Sequence, residues 1–499
     1  MTGGYDDDAL GYGRDDFEDD ASGPRSGFAL RLIAAFLALA LGVSYTLVLI
    51  NRGGGDETTP LPGATETATP HRADPGSRGP ASPRGEPSVY DAVDDLERCL
   101  STDLRFRDPP DEPGLEDDLR VISKRLERVR RLEFARPVES ELLPEEALAE
   151  RARRSYGEPY RPREARRDER VLAALGLIPQ GTDLDAVVEE VASGAAGFYD
   201  SGAKKLYART TDGALAAFDE VVLVHELDHA LVDQTWGLPG TVAKDPRGDD
   251  AAFARAALAE GDATLAMIRY ASAALPGDLV DAFRARFTGR VSFVDPAVPY
   301  VFERASGFPY WEGLLFACSM WRRGGWADID GIYGDPPAST AQIVWPRRYL
   351  EEVEPLVPPD PKPPREPWKE IASSSLGVAD LMFMLENADE IASGAAVPGS
   401  HADEVAGWTG GALHAWAQGA ATAVHLSVLH RPVPRYGPLC RVLRRWYGTT
   451  FPDAVETRPP VGSNAAWSRN GVFAELRCER TFVQLALGPA PGLVHRLVR

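Results

Sequence analysis

The chain has 499 residues, more than one hydrophobic core usually supports, so its length predicts several domains or one large core with appendages. Apolar residues at 44% and charged residues at 26% match a chain that folds, which confines disorder to segments. With 54 basic against 75 acidic side chains the formal charge is −21, which repels polyanions and argues against nucleic acid as a partner.

Residues 1–27 hold eight acids, Asp6 to Asp20, against Arg14 and Arg25, and read as a disordered acidic tail. From Leu32 to Ile50 run nineteen residues without a charge, extended by Phe28-Ala29-Leu30, so 28–50 is predicted to be one transmembrane helix. No small-residue cleavage site follows Ile50, which favours an uncleaved anchor over a signal peptide. The short tail before it and the large domain after it predict a cytoplasmic N-terminus and an extracytoplasmic remainder. Residues 51–88, rich in Gly, Pro, Thr and Ser, read as a flexible tether. All four cysteines follow the anchor. Their number permits two disulfides in three pairings; Cys440 with Cys478 is the expected pair, and buried free thiols are the alternative.

Beyond the tether, Leu115, Leu119, Ile122, Leu126, Val129 and Leu132 recur at helical spacing. Phe134–Leu142 reads as a strand, and Pro144 opens a further helix whose arginines are expected to be solvated. Residues 197–208 carry a hairpin signal around Ser201-Gly202-Ala203-Lys204, and helices are predicted over 215–232 and 250–270. A Pro-rich loop spans 355–367, and 400–499 reads as mixed helix and strand with Trp408, Trp416 and Trp446 in its core.

The first of the two helices contains His225-Glu226-Leu227-Asp228-His229 inside an apolar run. Histidines four apart project from one helix face, where two neutral imidazoles can bind one Zn²⁺, and the carboxylate one position round can reach a water on the metal. Metal-activated hydrolysis needs such a base to take the water's proton and pass it to the leaving amine. Glu260, on the second helix within Ala259-Glu260-Gly261-Asp262, is the expected third ligand, with Gly261 and the alanines allowing close helix approach. Asp262 points some 200° away and is a candidate to hydrogen-bond a ligand imidazole. Asp228 and Asp233 read more simply as solvated helix residues. His414, His425 and His430 lack the four-residue spacing and read as packed or surface histidines. No phosphate loop, dinucleotide fingerprint or nucleophile elbow appears, so no nucleotide cofactor is expected.

This combination resembles the gluzincin class of zinc metallopeptidases, and more closely a group of bacterial membrane-anchored or secreted metallopeptidases. The resemblance rests on Gly197-Phe198-Tyr199-Asp200, Lys205-Leu206-Tyr207, the histidine motif with Asp233-Gln234, Leu258-Ala259-Glu260-Gly261-Asp262-Ala263, Phe308-Pro309-Tyr310, Gly324-Gly325-Trp326 and Pro336 to Ile343. It implies an α+β, helix-rich zincin-like ectodomain with a small sheet beside the active-site helix. It also implies one Zn²⁺ on His225, His229 and Glu260, Glu226 as general base, and a peptide substrate received as an added strand. Tyr199, Tyr207 and Tyr310 are candidates to hydrogen-bond the tetrahedral oxyanion, although core packing is the simpler reading of each. Relatives carry His before the Pro that follows Gln342; here Trp345 precedes Pro346, so no catalytic role carries over to that position.

The expected organisation is therefore a tail (1–27), anchor (28–50), tether (51–88), metallopeptidase domain (89–399) and C-terminal extension (400–499). The expected function is membrane-anchored, zinc-dependent peptide hydrolysis outside the cytoplasm. Two alternatives share the metal site: a catalytically inactive binding or envelope-organising module, and a zinc amidase acting on cell-wall material.

Overall fold

The computed structural model describes residues 86–106, 115–155, 162–187, 197–209, 217–238, 248–275, 277, 280, 298–432 and 437–499. The tail, the apolar run 28–50 and the tether to residue 85 lie outside the described residues. Among those described, no helix is long and apolar enough to cross a membrane.

The fold is mixed α+β. A short 3-10 helix, Val89–Asp95, leads to helix α1 (Leu115–Arg130), strand β1 (Glu139–Leu143), and helices α2 (Glu145–Ser155) and α3 (Pro162–Ala174). Strands β2 (Gly197–Asp200) and β3 (Lys205–Arg209) precede the two long helices α4 (Ala217–Trp236) and α5 (Asp249–Ala274). Then follow α6 (Tyr300–Gly324), α7 (Trp326–Ile332), α8 (Thr340–Val344) and α9 (Pro346–Leu350). The C-terminal part comprises β4 (Lys369–Ser375), α10 (Val378–Ser393), β5 (Trp408–Gln418), β6 (Ala421–His430) and α11 (Pro438–Thr450). It closes with β7 (Val455–Thr457), β8 (Ala465–Arg469), β9 (Val472–Cys478), β10 (Phe482–Gly488) and α12 (Pro491–Leu497).

Helix α5 is buried almost from end to end, and α4 from Val221 to Asp233. An alanine-rich or uniformly apolar sequence suits such central positions, because a helix with neighbours on every side needs no polar face. Against α4 lies a three-stranded sheet in the order β1-β3-β2, with β1 parallel and β2 antiparallel to β3. The strand expected at Phe134–Leu142 is shorter and begins at Glu139. Upstream of it the amide N–H groups of Phe134 and Arg136 donate to the side chains of Glu127 and Gln234 instead of to a ladder.

The second sheet has seven antiparallel strands in the order β4-β5-β6-β10-β9-β8-β7. Its edge strand β4 starts at Lys369, so the boundary drawn at 400 cuts through one sheet, and one core cluster runs from Val89 to Leu487 across that boundary. Trp408, Trp416 and Trp446 are buried, as expected. Glu86, assigned to the tether, belongs to the folded unit: Arg348 Nε and Nη2 donate to its carboxylate at 3.1 and 3.0 Å, and Arg431 at 3.0 Å. All four cysteines are paired, Cys440 with Cys478 and Cys99 with Cys318.

Candidate metal centre

Helix α4 presents His225 and His229 toward α5, with Glu226 beside them, and α5 presents Glu260 back. All four side chains are buried. His225 Nε2 lies 3.0 Å from Glu260 Oε2 and 3.1 Å from His229 Nε2, and His229 Nε2 lies 3.5 Å from Glu260 Oε1. One donor atom from each of His225, His229 and Glu260 falls within 4.8 Å of the others, so this buried group could hold a metal ion.

The spacing can be tested against an ion's needs. A tetrahedral ion with bonds of about 2.0–2.1 Å separates its ligand atoms by about 1.6 bond lengths, or roughly 3.3 Å. His225 Nε2 lies near that distance from both His229 Nε2, at 3.1 Å, and Glu260 Oε2, at 3.0 Å, while His229 Nε2 approaches the other carboxylate oxygen at 3.5 Å. The Oε1 atom of Glu260 and the Nδ1 atom of His225 are buried without hydrogen-bond partners. A donor set of two imidazoles and one carboxylate, with one such oxygen unused, fits a divalent cation.

The charges agree with that reading. Burial opposes ionisation of Glu260, but His229 and His225 outweigh it and hold the carboxyl at about 2. Burial likewise opposes a charged His229, yet Glu260 and Glu226 together push it up to about 9. His225 is lowered, chiefly by burial. Without an ion, the buried carboxylate is thus matched by a protonated His229, a positive charge that a bound cation would replace as the imidazole gives up its proton.

Glu226 is held from the sheet side. Its Oε2 accepts the backbone N–H of Tyr199 at 2.8 Å, so the strand edge fixes the carboxylate beside the histidines. Burial and the charge of Glu260 push its pKa up to about 8, while His229 and the Tyr199 N–H pull the other way. The three tyrosines separate. The Tyr310 ring, on α6, stacks over His225 with centroids 5.9 Å apart, so it lines the centre. Tyr199 turns its hydroxyl away, donating to Asp233 at 2.7 Å. Tyr207 is packed with Leu148, Ala152 and Phe198, the core role weighed against an oxyanion role, and its hydroxyl accepts from the partly exposed Arg151 at 2.8 Å.

Asp228 and Asp233 are not solvated. Asp233 accepts from Tyr199, from Lys204 Nζ at 2.7 and 2.8 Å and from the Leu238 N–H at 2.8 Å, which ties the β2–β3 turn to the end of α4. Asp228 and Asp262 both accept from Arg130, at 2.8 and 3.0 Å, and Asp262 also accepts from the Tyr333 hydroxyl at 2.8 Å. Asp262 therefore meets an arginine and a tyrosine rather than an imidazole. Arg130 was missed, although its position had a signal: it follows Leu126 by four residues and so falls within the apolar stripe of α1.

Gly261 does bring backbones together, but its partner is α6, where Gly313 abuts it and Ala257. Trp345 is fully buried with the Arg348 guanidinium 4.0 Å above its ring, a packing role. His414 and His425 face each other across β5 and β6, far in sequence from the centre and packed, as expected. Comparison with protein-family models, curated proteins and solved structures finds no match to this chain.

Proposed function

We propose that the chain is a zinc-dependent metallopeptidase that hydrolyses peptide bonds, anchored by residues 28–50 with residues 51–499 outside the cytoplasm. The observation that carries this reading is the convergence of one donor atom each from His225, His229 and Glu260 within 4.8 Å, with Glu226 fixed beside them. Two histidines and a glutamate are the donor set of catalytic zinc sites that keep a coordination position open. Zinc there supplies Lewis acidity, lowering the pKa of a bound water and polarising a carbonyl.

Glu226 accepts the proton of the attacking water and delivers it to the leaving nitrogen. Its buried position beside the two histidines, tied to the Tyr199 N–H, suits both steps. The Tyr199 N–H limits its rotation, so the proton is taken and returned at one place. Strand β2 is an edge of its sheet and lies against α4, the side from which an extended peptide would approach Glu226. Tyr310, whose ring stacks on His225, is the candidate of the three tyrosines for the oxyanion role.

The paired cysteines support an oxidising compartment, and the uncharged run from Leu32 to Ile50 supports the anchor. Incubating the full chain with peptide libraries and with cell-wall fragments, each with and without chelator, tests the substrate class. Chelator-sensitive cleavage of peptides is expected. Release from cell-wall amides alone, or no turnover in either arm, would overturn it.

A further inference from the structure

Arg130 ends α1, ninety-five residues before the first metal-site histidine, and its side chain is completely buried. Its guanidinium reaches three elements at once. Nε donates to Asp228 on α4 at 2.8 Å, Nη2 to Asp262 on α5 at 3.0 Å, and Nη1 to Asp330 on α7 at 3.1 Å. The Trp326 ring covers its flat face at 4.3 Å. Two of these acids sit inside the ligand-bearing motifs: Asp228 lies between His225 and His229, and Asp262 is two residues beyond Glu260.

We propose that Arg130 is a positioning residue of the metal centre, setting the spacing and rotation of α4 against α5 so that His225, His229 and Glu260 meet one ion. Two buried carboxylates on neighbouring helices repel, and here a rigid fork of donors lies between them. The second oxygens, Asp228 Oδ2 and Asp262 Oδ1, have no hydrogen-bond partner, and the Tyr333 hydroxyl adds a bond to Asp262 alone, so among the described residues Arg130 is the group that joins the two acids. Without the fork the acids separate, and the ligands one to three residues away along each helix move with them. A lysine keeps the positive charge but cannot span both acids in fixed geometry.

A second buried arginine supplies the control. Arg304 donates to Glu312 and Glu386, both at 2.7 Å, joining α6 to α10 without touching α4 or α5 through that network. The inference rests on the metal-centre reading, and the experiment separates the two. Zinc affinity of the detergent-solubilised full chain is measured by chelator competition for wild type, Arg130→Lys and Arg304→Lys. Metal-free melting temperatures and the visible bands of the cobalt(II)-substituted proteins are recorded alongside. Arg130→Lys is expected to bind zinc at least about tenfold more weakly, with altered cobalt bands. Arg304→Lys should lose comparable thermal stability and keep both metal readouts. Should Arg130→Lys not fold, Asp330→Asn, at the partly exposed arm of the fork, is expected to weaken zinc at least about threefold with the fold intact. Equal zinc affinity in wild type and in the folded variant overturns this inference alone, whereas a wild-type chain that binds no zinc overturns both.

Discussion

Gly261→Ala tests the packing that backs the centre. A methyl group there would meet the carbonyl carbon and oxygen of Gly313 at 2.1 Å and its Cα at 2.7 Å. Ordinary contacts begin near 3.5 Å, so α5 and α6 must part by about 1 Å. Overpacking costs about 1–3 kcal/mol, and backbone cannot swing aside as a side chain can, which places this case at about 3 kcal/mol. Alanine returns about 1 kcal/mol of helix propensity, leaving a net loss of about 2 kcal/mol. Gly307, in the same helix as Gly313, has nothing within 4 Å of an added methyl, so Gly307→Ala collects the propensity without the clash. A change of 1 kcal/mol moves the melting temperature by roughly 2–4 °C in domains of 150–250 residues, and less in a larger one. Thermal melts should therefore show Gly261→Ala several degrees below wild type and Gly307→Ala level with it or above. Because Glu260 adjoins Gly261, zinc affinity should fall in the first variant and hold in the second. A Gly261→Ala protein that melts at or above wild type would refute the close-packing argument.

The remaining expectations concern the disulfides, a buried histidine and the metal. The Cys99–Cys318 bridge closes 219 residues and Cys440–Cys478 closes 38, and loop entropy assigns them about 5 and about 4 kcal/mol. Paired Cys→Ser variants should both melt well below wild type, the first pair further; a loss confined to the shorter loop would contradict the entropic ranking. Burial, aided by the nearby His414, pushes His425 down to about 4, so the folded chain resists a proton that the unfolded chain takes up near 6.5. The stability associated with its neutral form is present above pH 6.5 and lost as pH falls toward 4. Melts across that range should fall less steeply for His425→Gln than for wild type, and identical slopes would count against the assignment. Adding chelator to zinc-loaded protein should lower its stability by about 3 kcal/mol where free zinc had stood at a hundred times its Kd, read as a fall in melting temperature; an unchanged melt would mean that no folded-state metal was removed.

The centre was legible because its chemistry is local. Residues at fixed offsets on one helix declare themselves, and His225, Glu226 and His229 fall where the helical period puts them. Glu260 needed one further step, that two helices joined by a short connection lie side by side. The supporting contacts were not legible, because they depend on which distant element covers each face. Asp228 and Asp262 could not announce Arg130, since the partner lies on a helix whose docking only tertiary structure decides. Burial on every side of α4 was written in the valines and leucines spread round its whole circumference, which should have marked Asp228 and Asp233 as paired rather than solvated. The seven-stranded sheet escaped for another reason: its edge strand precedes α10, and nothing in Lys369–Ser375 announces pairing with residues forty positions on. Among the tyrosines, sequence supplies the residue type, but the direction of a hydroxyl is set by neighbours such as Asp233 and Arg151.

The account turns on one paired measurement, metal content and peptidase activity in wild type and Glu226→Gln. About one zinc per chain in both proteins is expected, with peptide hydrolysis present in wild type and reduced to background in the variant. Full hydrolysis by zinc-loaded Glu226→Gln, or a wild-type chain that holds no zinc, would contradict it.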